Sequence, residues 1–114
     1  MRIIVAGAGA VGKHLAKLLS REDMDISLID ESQERLGDLD ANYDLLTKVG
    51  SPTSIHDLKD IGIKEADLFV AVTPSEEENI TACMIAKQLG AKKTLARIDN
   101  FEYLRPENKA IFEK

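Results

Sequence analysis

The sequence predicts an α/β domain, a doubly wound parallel sheet with strand order 3-2-1-4-5. Three observations lead there. Short apolar runs alternate with stretches of helical period along the whole 114-residue chain. A Gly-x-Gly-x-x-Gly triplet stands at the first strand-to-helix junction. An acid, Asp30, ends the second apolar run, eighteen positions after the last of those glycines. Right-handed crossovers between parallel strands then impose the order.

Taken in turn, Arg2 to Ala6 is a short buried strand, and Ala10 to Arg21 is a helix whose apolar stripe is Val11, Leu15, Leu18 and Leu19. Asp25 to Asp30 (DISLID) is the second strand. Ser32 caps a short helix over Gln33 to Asp40, with Glu34 complementing its dipole, Leu36 and Leu39 facing inward and Gly37 weakening it. Tyr43 to Val49 is a mixed strand suited to the sheet edge. Thr53 or Ser54 caps a helix over Ile55 to Ile61, which Gly62 ends. Asp67 to Val72 is nearly all apolar and reads as an inner strand. Glu76 to Leu89 is the strongest helix, with Ile80, Cys83, Met84, Ala86 and Leu89 inward and Gly90 at its C-terminal end. Thr94 to Ile98 is the fifth strand, and a last helix starts near Phe101 or Pro106. A full two-half fold has a sixth strand. Its absence here predicts that residues 1–114 are one domain of a longer chain.

The glycine triplet has a Rossmann-like context: strand before, helix after, second strand and acid beyond. Gly7 permits the tight turn, Gly9 lets a pyrophosphate approach the backbone, and Gly12 allows close helix–strand packing. The helix start offers N–H groups and positive dipole charge to an anion. Asp30 can accept from both hydroxyls of an adenosine ribose, whereas a 2′-phosphate would bring negative charge against it. The expected ligand is therefore NAD(H), ADP or ATP rather than NADP. The switch point, between strands 1 and 4, gathers Gly7 to Gly12, Asp30, Ser51, Thr73 and Arg97 on one rim.

Composition narrows the partners. The formal net charge is −5, and the basic residues are scattered, with Lys92-Lys93 too short to form a patch. That argues against nucleic acid or an anionic membrane surface. One cysteine, Cys83, excludes an intramolecular disulfide and suits a reducing compartment. No secretory leader is evident, and no apolar run approaches the ~20 residues of a membrane span. A cytoplasmic protein is expected, able to serve a membrane protein as a partner.

The segments GAGAVGKHLAKLL, LIDESQERL, VGSPTS, DLFVAVTPSEEENITACMIAKQLGA and ARIDNFEYL together resemble the RCK domain, also called KTN, across essentially the whole chain. The likeness is greatest to the first such domain in the cytosolic regulatory subunit of bacterial potassium uptake systems. It implies a nucleotide sensor, not an enzyme, that passes its state to a membrane potassium transporter subunit. It also implies assembly as a homodimer or ring, held at the inner face of the membrane through that partner. By position, Gly7, Ala8, Gly9, Ala10, Val11 and Gly12 match the family's phosphate loop. Asp30 matches its ribose acid, with Glu31 beside it. Gly50 and Ser51 fall in the adenine-side loop, where the family more often has Gly-Asp-Ala-Thr and this chain has Gly50-Ser51-Pro52-Thr53. Thr73, followed by Pro74, matches a position on the phosphate and second-ribose side. Arg97 matches an arginine that reaches toward the phosphates. Asn100, Glu102 and Tyr103 fit an Asn-Pro-Glu-Tyr segment, with Phe101 in place of proline.

Other residues have plainer readings. His14 is solvated or packing. His56, near Asp57 and Asp60, lacks a third convergent metal ligand. Cys83 lies on the apolar stripe of its helix. Glu76, Glu77 and Glu78 could be read as a cation site, but dipole complementarity and a solvated face are the commoner explanation; Asn79 and Thr81 could touch a ligand across the rim, but helix capping explains them as well. Arg97 stands out, because a buried arginine needs an anionic partner. Ile80, Met84, Ile111 and Phe112 could supply a dimer face. The alternative function is the cofactor half of an NAD-dependent oxidoreductase, but Tyr43 and Tyr103 are not followed four residues on by lysine, and no histidine falls at the rim of strands 4 and 5. A third possibility, an assembly module with a vestigial site, conflicts with the intact glycines and Asp30.

Overall fold

A computed structural model of the chain describes residues 1–37, 39, 43–99 and 105–109. Its elements in order are β1 (Arg2–Ala6), α1 (Ala10–Leu19), β2 (Asp25–Asp30), α2 (Gln33–Leu36), β3 (Leu45–Val49), α3 (Ile55–Asp60), a 3₁₀ turn (Ile63–Glu65), β4 (Leu68–Ala71), α4 (Glu76–Leu89), β5 (Lys93–Ala96) and α5 (Pro106–Lys109). The sheet order is β3-β2-β1-β4-β5, and every neighbouring pair is parallel. This is the Rossmann-like architecture the sequence predicts.

Alternate residues of the inner strands feed two cores, as the pleat requires. On one face Ile4, Ala6, Ile29, Phe69 and Ala71 pack with Leu58 of α3 and Ala82, Cys83 and Ala86 of α4. On the other, Ile3, Val5, Ile26 and Leu28 pack with Ala16 of α1 and Leu36 of α2. Both sides of β1 are buried, which is why IIVA is uninterruptedly apolar.

Several expectations shift. The stripe of α1 that meets the sheet is Gly12 and Ala16, flanked by Leu15 and Leu19; Val11 and Leu18 are each 45 % exposed. Small residues occupy the contact because α1 lies close over β1. In α4 Met84 is exposed, and the buried face is Asn79, Ala82, Cys83 and Ala86. The helix seats itself on its small residues, leaving the long thioether in solvent. Gly37, at φ 53°, stops α2 after one turn. The ordered parts of β3, β4 and β5 are shorter than the apolar runs suggested, and a 3₁₀ turn at Ile63–Glu65 was not expected. Asp40, Asn100 to Leu104, Ile111 and Phe112 lie outside the described residues. Among the described residues, no helix is long and apolar enough to cross a membrane.

Cys83 is buried, and its thiol contacts the Leu95 carbonyl at 3.3 Å. Burial pushes its pKa up to about 11, so the reactive thiolate is scarce at neutral pH. Alkylation by iodoacetamide at pH 8 is expected to be slow in the native protein and fast in 6 M urea. Equal rates in the two states would contradict the packing.

Candidate functional site

The strand ladders extend one step past each strand at the C-terminal edge, and this lays out the rim. Gly7 N donates to Ile29 O, Val72 N to Ala6 O, Gly50 N to Asp30 O and Arg97 N to Ala71 O, all within 2.8–2.9 Å. Gly7, Asp30, Gly50, Thr73 and Arg97 therefore stand side by side along one edge.

At the glycine loop each position answers to a different constraint. Gly7 has φ 112°, and a Cβ there would lie 3.0 Å from Thr73 N and from the Val72 carbonyl carbon. At Gly12 a Cβ would lie 1.7 Å from Gly7 O. Gly9 is different. Its φ of −74° suits any residue, and a Cβ would meet nothing within 4 Å. The fold requires glycine at positions 7 and 12 but not at 9, so the open space outside Gly9 is what its missing side chain preserves. Ala8 is fully buried, while Ala10 and Val11 face solvent at the helix start. Ser32, Ser54 and Ser75 cap α2, α3 and α4 with their hydroxyls. Helix α1 begins on Gly9 with no side-chain cap and no acid in its first turn. Its N-terminal N–H groups and dipole charge are left toward that open space.

Asp30 is 5 % exposed. One carboxylate oxygen accepts from Ala8 N at 2.7 Å, the other from Ser32 N at 2.7 Å. The acid thus clasps the glycine loop to the start of α2. Arg35 Nη1 lies 3.6 Å from Asp30 Oδ1. Beside it opens a cleft of about 190 Å³ lined by Asp30, Glu31, Arg35, Pro52, Thr73, Pro74, Ser75 and Glu78. The four expected residues there are Asp30, Glu31, Thr73 and Pro74. Arg35, Pro52, Ser75 and Glu78 were not anticipated. From the sequence Glu78 reads chiefly as a dipole partner. Burial, with the charges of Glu31 and Asp30, raises its carboxyl above the usual range.

Gly50 and Ser51 sit next to this cleft rather than in its lining. Ser51 N donates to Asp57 Oδ2 at 2.9 Å, and Ser51 Oγ accepts from Thr53 N at 3.2 Å. The departure Ser51-Pro52 thus leaves a loop held from below by Asp57 with Pro52 buried against the cleft.

Thr73 is held by Asn79, which is 1 % exposed. Asn79 Oδ1 accepts from Thr73 N at 2.9 Å and from Thr73 Oγ1 at 2.7 Å; its Nδ2 donates to Thr73 O and Arg97 O, both at 3.0 Å. Capping belongs to Ser75, so Asn79 has a larger role than expected. Arg97 needs correction too. Its side chain is 40 % exposed and its Nε pairs with Asp99 Oδ1 at 3.4 Å. It stands on the rim by its backbone, but it is not the buried arginine the sequence suggested, because β5 ends at Ala96 and the side chain leaves the sheet.

His14 is exposed. His56, Asp57 and Asp60 do bring three ligand atoms within 4.8 Å of one another, contrary to expectation. One helical turn puts His56 and Asp60 on the same side. The donors are already engaged: Asp60 with His56 at 3.3 Å and Lys48 at 3.6 Å, Asp57 with Ser51 N.

Residues 3–113 match the TrkA-N domain family. The chain is 46 % identical over 110 residues to the Trk system potassium uptake protein TrkA of Haemophilus influenzae, covering 96 % of this chain and 24 % of that protein. It is 40 % identical over 114 residues to the TrkA protein of Vibrio alginolyticus, covering 99 % and 25 %. It thus spans about a quarter of the length of these relatives. Among solved structures, the Kef C-terminal domain of Shewanella denitrificans in its AMP-bound form superposes with a TM-score of 0.75 at 22 % identity, over 95 % of this chain and 68 % of that one. The GsuK channel bound to NAD gives 0.66 at 15 % identity, over 82 % and 21 %. At those identities the likeness is one of fold. With the family match running over residues 3–113 and a relative 46 % identical over 96 % of the chain, the chain belongs to the TrkA-N family.

Proposed function

We propose that this domain is the nucleotide sensor of a potassium-uptake regulatory subunit. It binds NAD(H), ATP or ADP and passes its occupancy to a membrane potassium transporter subunit without turning the nucleotide over. The phosphates lie along Gly7 to Gly12 at the uncapped start of α1. The ribose diol meets Asp30, whose oxygens keep lone pairs beyond the two backbone bonds. Glu31, Gly50, Ser51, Thr73 and Pro74 frame the rest, and Arg97 closes the rim from outside. In this role the nucleotide shifts a conformational equilibrium. The domain acts as one unit of a longer, cytoplasmic chain that forms a homodimer or ring and reaches the membrane only through its partner.

The observation that carries this reading is Gly9: a glycine the protein itself does not need, at a helix start left without a cap. Titration calorimetry with NADH, NAD+, ATP and ADP tests it, using Gly9→Ala as the control. Micromolar binding of at least one of them is expected. The Gly9→Ala variant should keep its stability within about 1 kcal/mol, the cost of alanine at a helix N-cap, yet bind at least about tenfold more weakly. Unchanged binding in the variant would remove the phosphate site from Gly9. Turnover of NADH with a small carbonyl substrate would favour the oxidoreductase instead.

A further inference from the structure

The cleft beside Asp30 carries more negative charge than a ribose diol needs. Three carboxylates line it, from Asp30, Glu31 and Glu78, against one cation, Arg35. Arg35 sits 3.6 Å from Asp30 and offsets that acid, which also accepts two backbone N–H groups. Arg35 thereby weakens the charge that Asp30 by itself sets against an extra phosphate. An arginine near the adenosine ribose is the group that accommodates a 2′-phosphate in dinucleotide sites, and the Arg35 side chain is 56 % exposed, free to turn toward one. What opposes it are the other two acids. Glu31 follows β2, and Glu78, whose N–H donates to Ser75 Oγ at 3.2 Å, stands in the first turn of α4; both line the cleft. Burial and the charges of Glu31 and Asp30 raise the Glu78 carboxyl, while Arg35 acts the other way. The four groups therefore share one electrostatic environment across the cleft.

Resting on the nucleotide reading above, we propose that Glu78 is a specificity-determining residue: together with Glu31 it turns away nucleotides that carry a phosphate on the adenosine ribose, and it admits those that present a free diol. The effect works through space and touches neither the phosphate loop nor the clasp made by Asp30. Repulsion between one carboxylate and a phosphate dianion across such a cleft is worth roughly tenfold in affinity or more, and salt screens it.

Competitive calorimetry with NAD+ and NADP+ on the 114-residue chain, its Glu78→Gln variant and its Glu78→Lys variant tests this. Glutamine keeps the size of the side chain and lies outside the Asp30 clasp, and the ratio of the two dissociation constants cancels any effect on binding that is common to both ligands. The ratio of NADP+ to NAD+ dissociation constants should fall by about tenfold in Glu78→Gln and further in Glu78→Lys. Both shifts should shrink in 0.5 M salt. A merely structural role for Glu78 would weaken both ligands together and leave the ratio alone. An unchanged ratio in both variants, with NAD+ still bound, overturns the proposal and spares the nucleotide reading. NADP+ binding that stays undetectable in Glu78→Lys also overturns it. Absence of NAD+ binding by the parent chain overturns the proposal; the nucleotide reading falls only if NADH, ATP and ADP also fail to bind.

Discussion

Gly12→Ala is expected to abolish cooperative folding or to lower stability by more than about 3 kcal/mol, a large part of the roughly 5–15 kcal/mol available to a domain. The added methyl would stand 1.7 Å from Gly7 O and 2.8 Å from the Gly7 carbonyl carbon, both backbone atoms. A flexible side chain could turn aside; this carbonyl cannot. It belongs to the turn whose N–H continues the β1–β2 ladder onto Ile29 O. Relief would require α1 to lift from the sheet and expose Ala16, now fully buried. Urea denaturation followed by circular dichroism measures the loss. A midpoint within experimental error of the parent would show that α1 does not sit this close to β1. The contrast with Gly9→Ala is the sharper test, because two glycines of one motif should fail in opposite ways: one in folding, the other in binding.

Asn79→Ala is expected to cost about 3–5 kcal/mol, from the loss of four hydrogen bonds at a site 1 % exposed. Truncation leaves Thr73 N, Thr73 O and Arg97 O without their partner in a region where water does not readily replace it. The near-isosteric Asn79→Asp variant separates hydrogen bonding from packing. Its carboxylate can still accept from Thr73 but presents negative charge to two carbonyl oxygens. Protonation restores one donor. The folded-state pKa of that new acid is raised above its unfolded value, since its charged form is the one disfavoured. Its destabilisation should therefore be small at acid pH and grow as pH rises through the unfolded value toward the folded one. Thermal melts of parent and variant between pH 4 and pH 8 measure this. A destabilisation independent of pH would mean that Asn79 matters by shape alone.

The order of elements, the parallel sheet and the position of the glycine loop were legible because they depend on local signals. Apolar runs of strand length, caps at Ser32 and at Thr53 or Ser54, and glycine at turns each act within a few residues. The span Glu76–Leu89 of α4 could be set from the acids of its first turn and its terminal Gly90 for the same reason. Which face of a helix meets the sheet was less legible. Hydrophobic period favours Leu18 and Met84 as core residues, yet close packing on β1 and β4 selected Gly12, Ala16, Ala82 and Ala86. Packing distance is a property of two elements, and one element's pattern does not contain it.

The candidate site divides along the same line. Gly7, Gly12 and Asp30 announced themselves by spacing. Arg35, Pro52 and Glu78 did not, since they reach one cleft from three separate segments following β2, β3 and β4. Asn79 looked like a capping residue until the fold set it beneath Thr73 and beside Arg97. Arg97 looked buried until β5 proved to end at Ala96, two residues before the expected Ile98. By itself the sequence determined the class of fold, the edge that carries the glycine loop and the acid that ends β2 beside it, because these follow from strand, turn and helix chemistry along the chain. Only the tertiary structure decided which charges line one cleft and which glycine is held by the protein rather than left open, because both depend on distances between residues far apart in sequence.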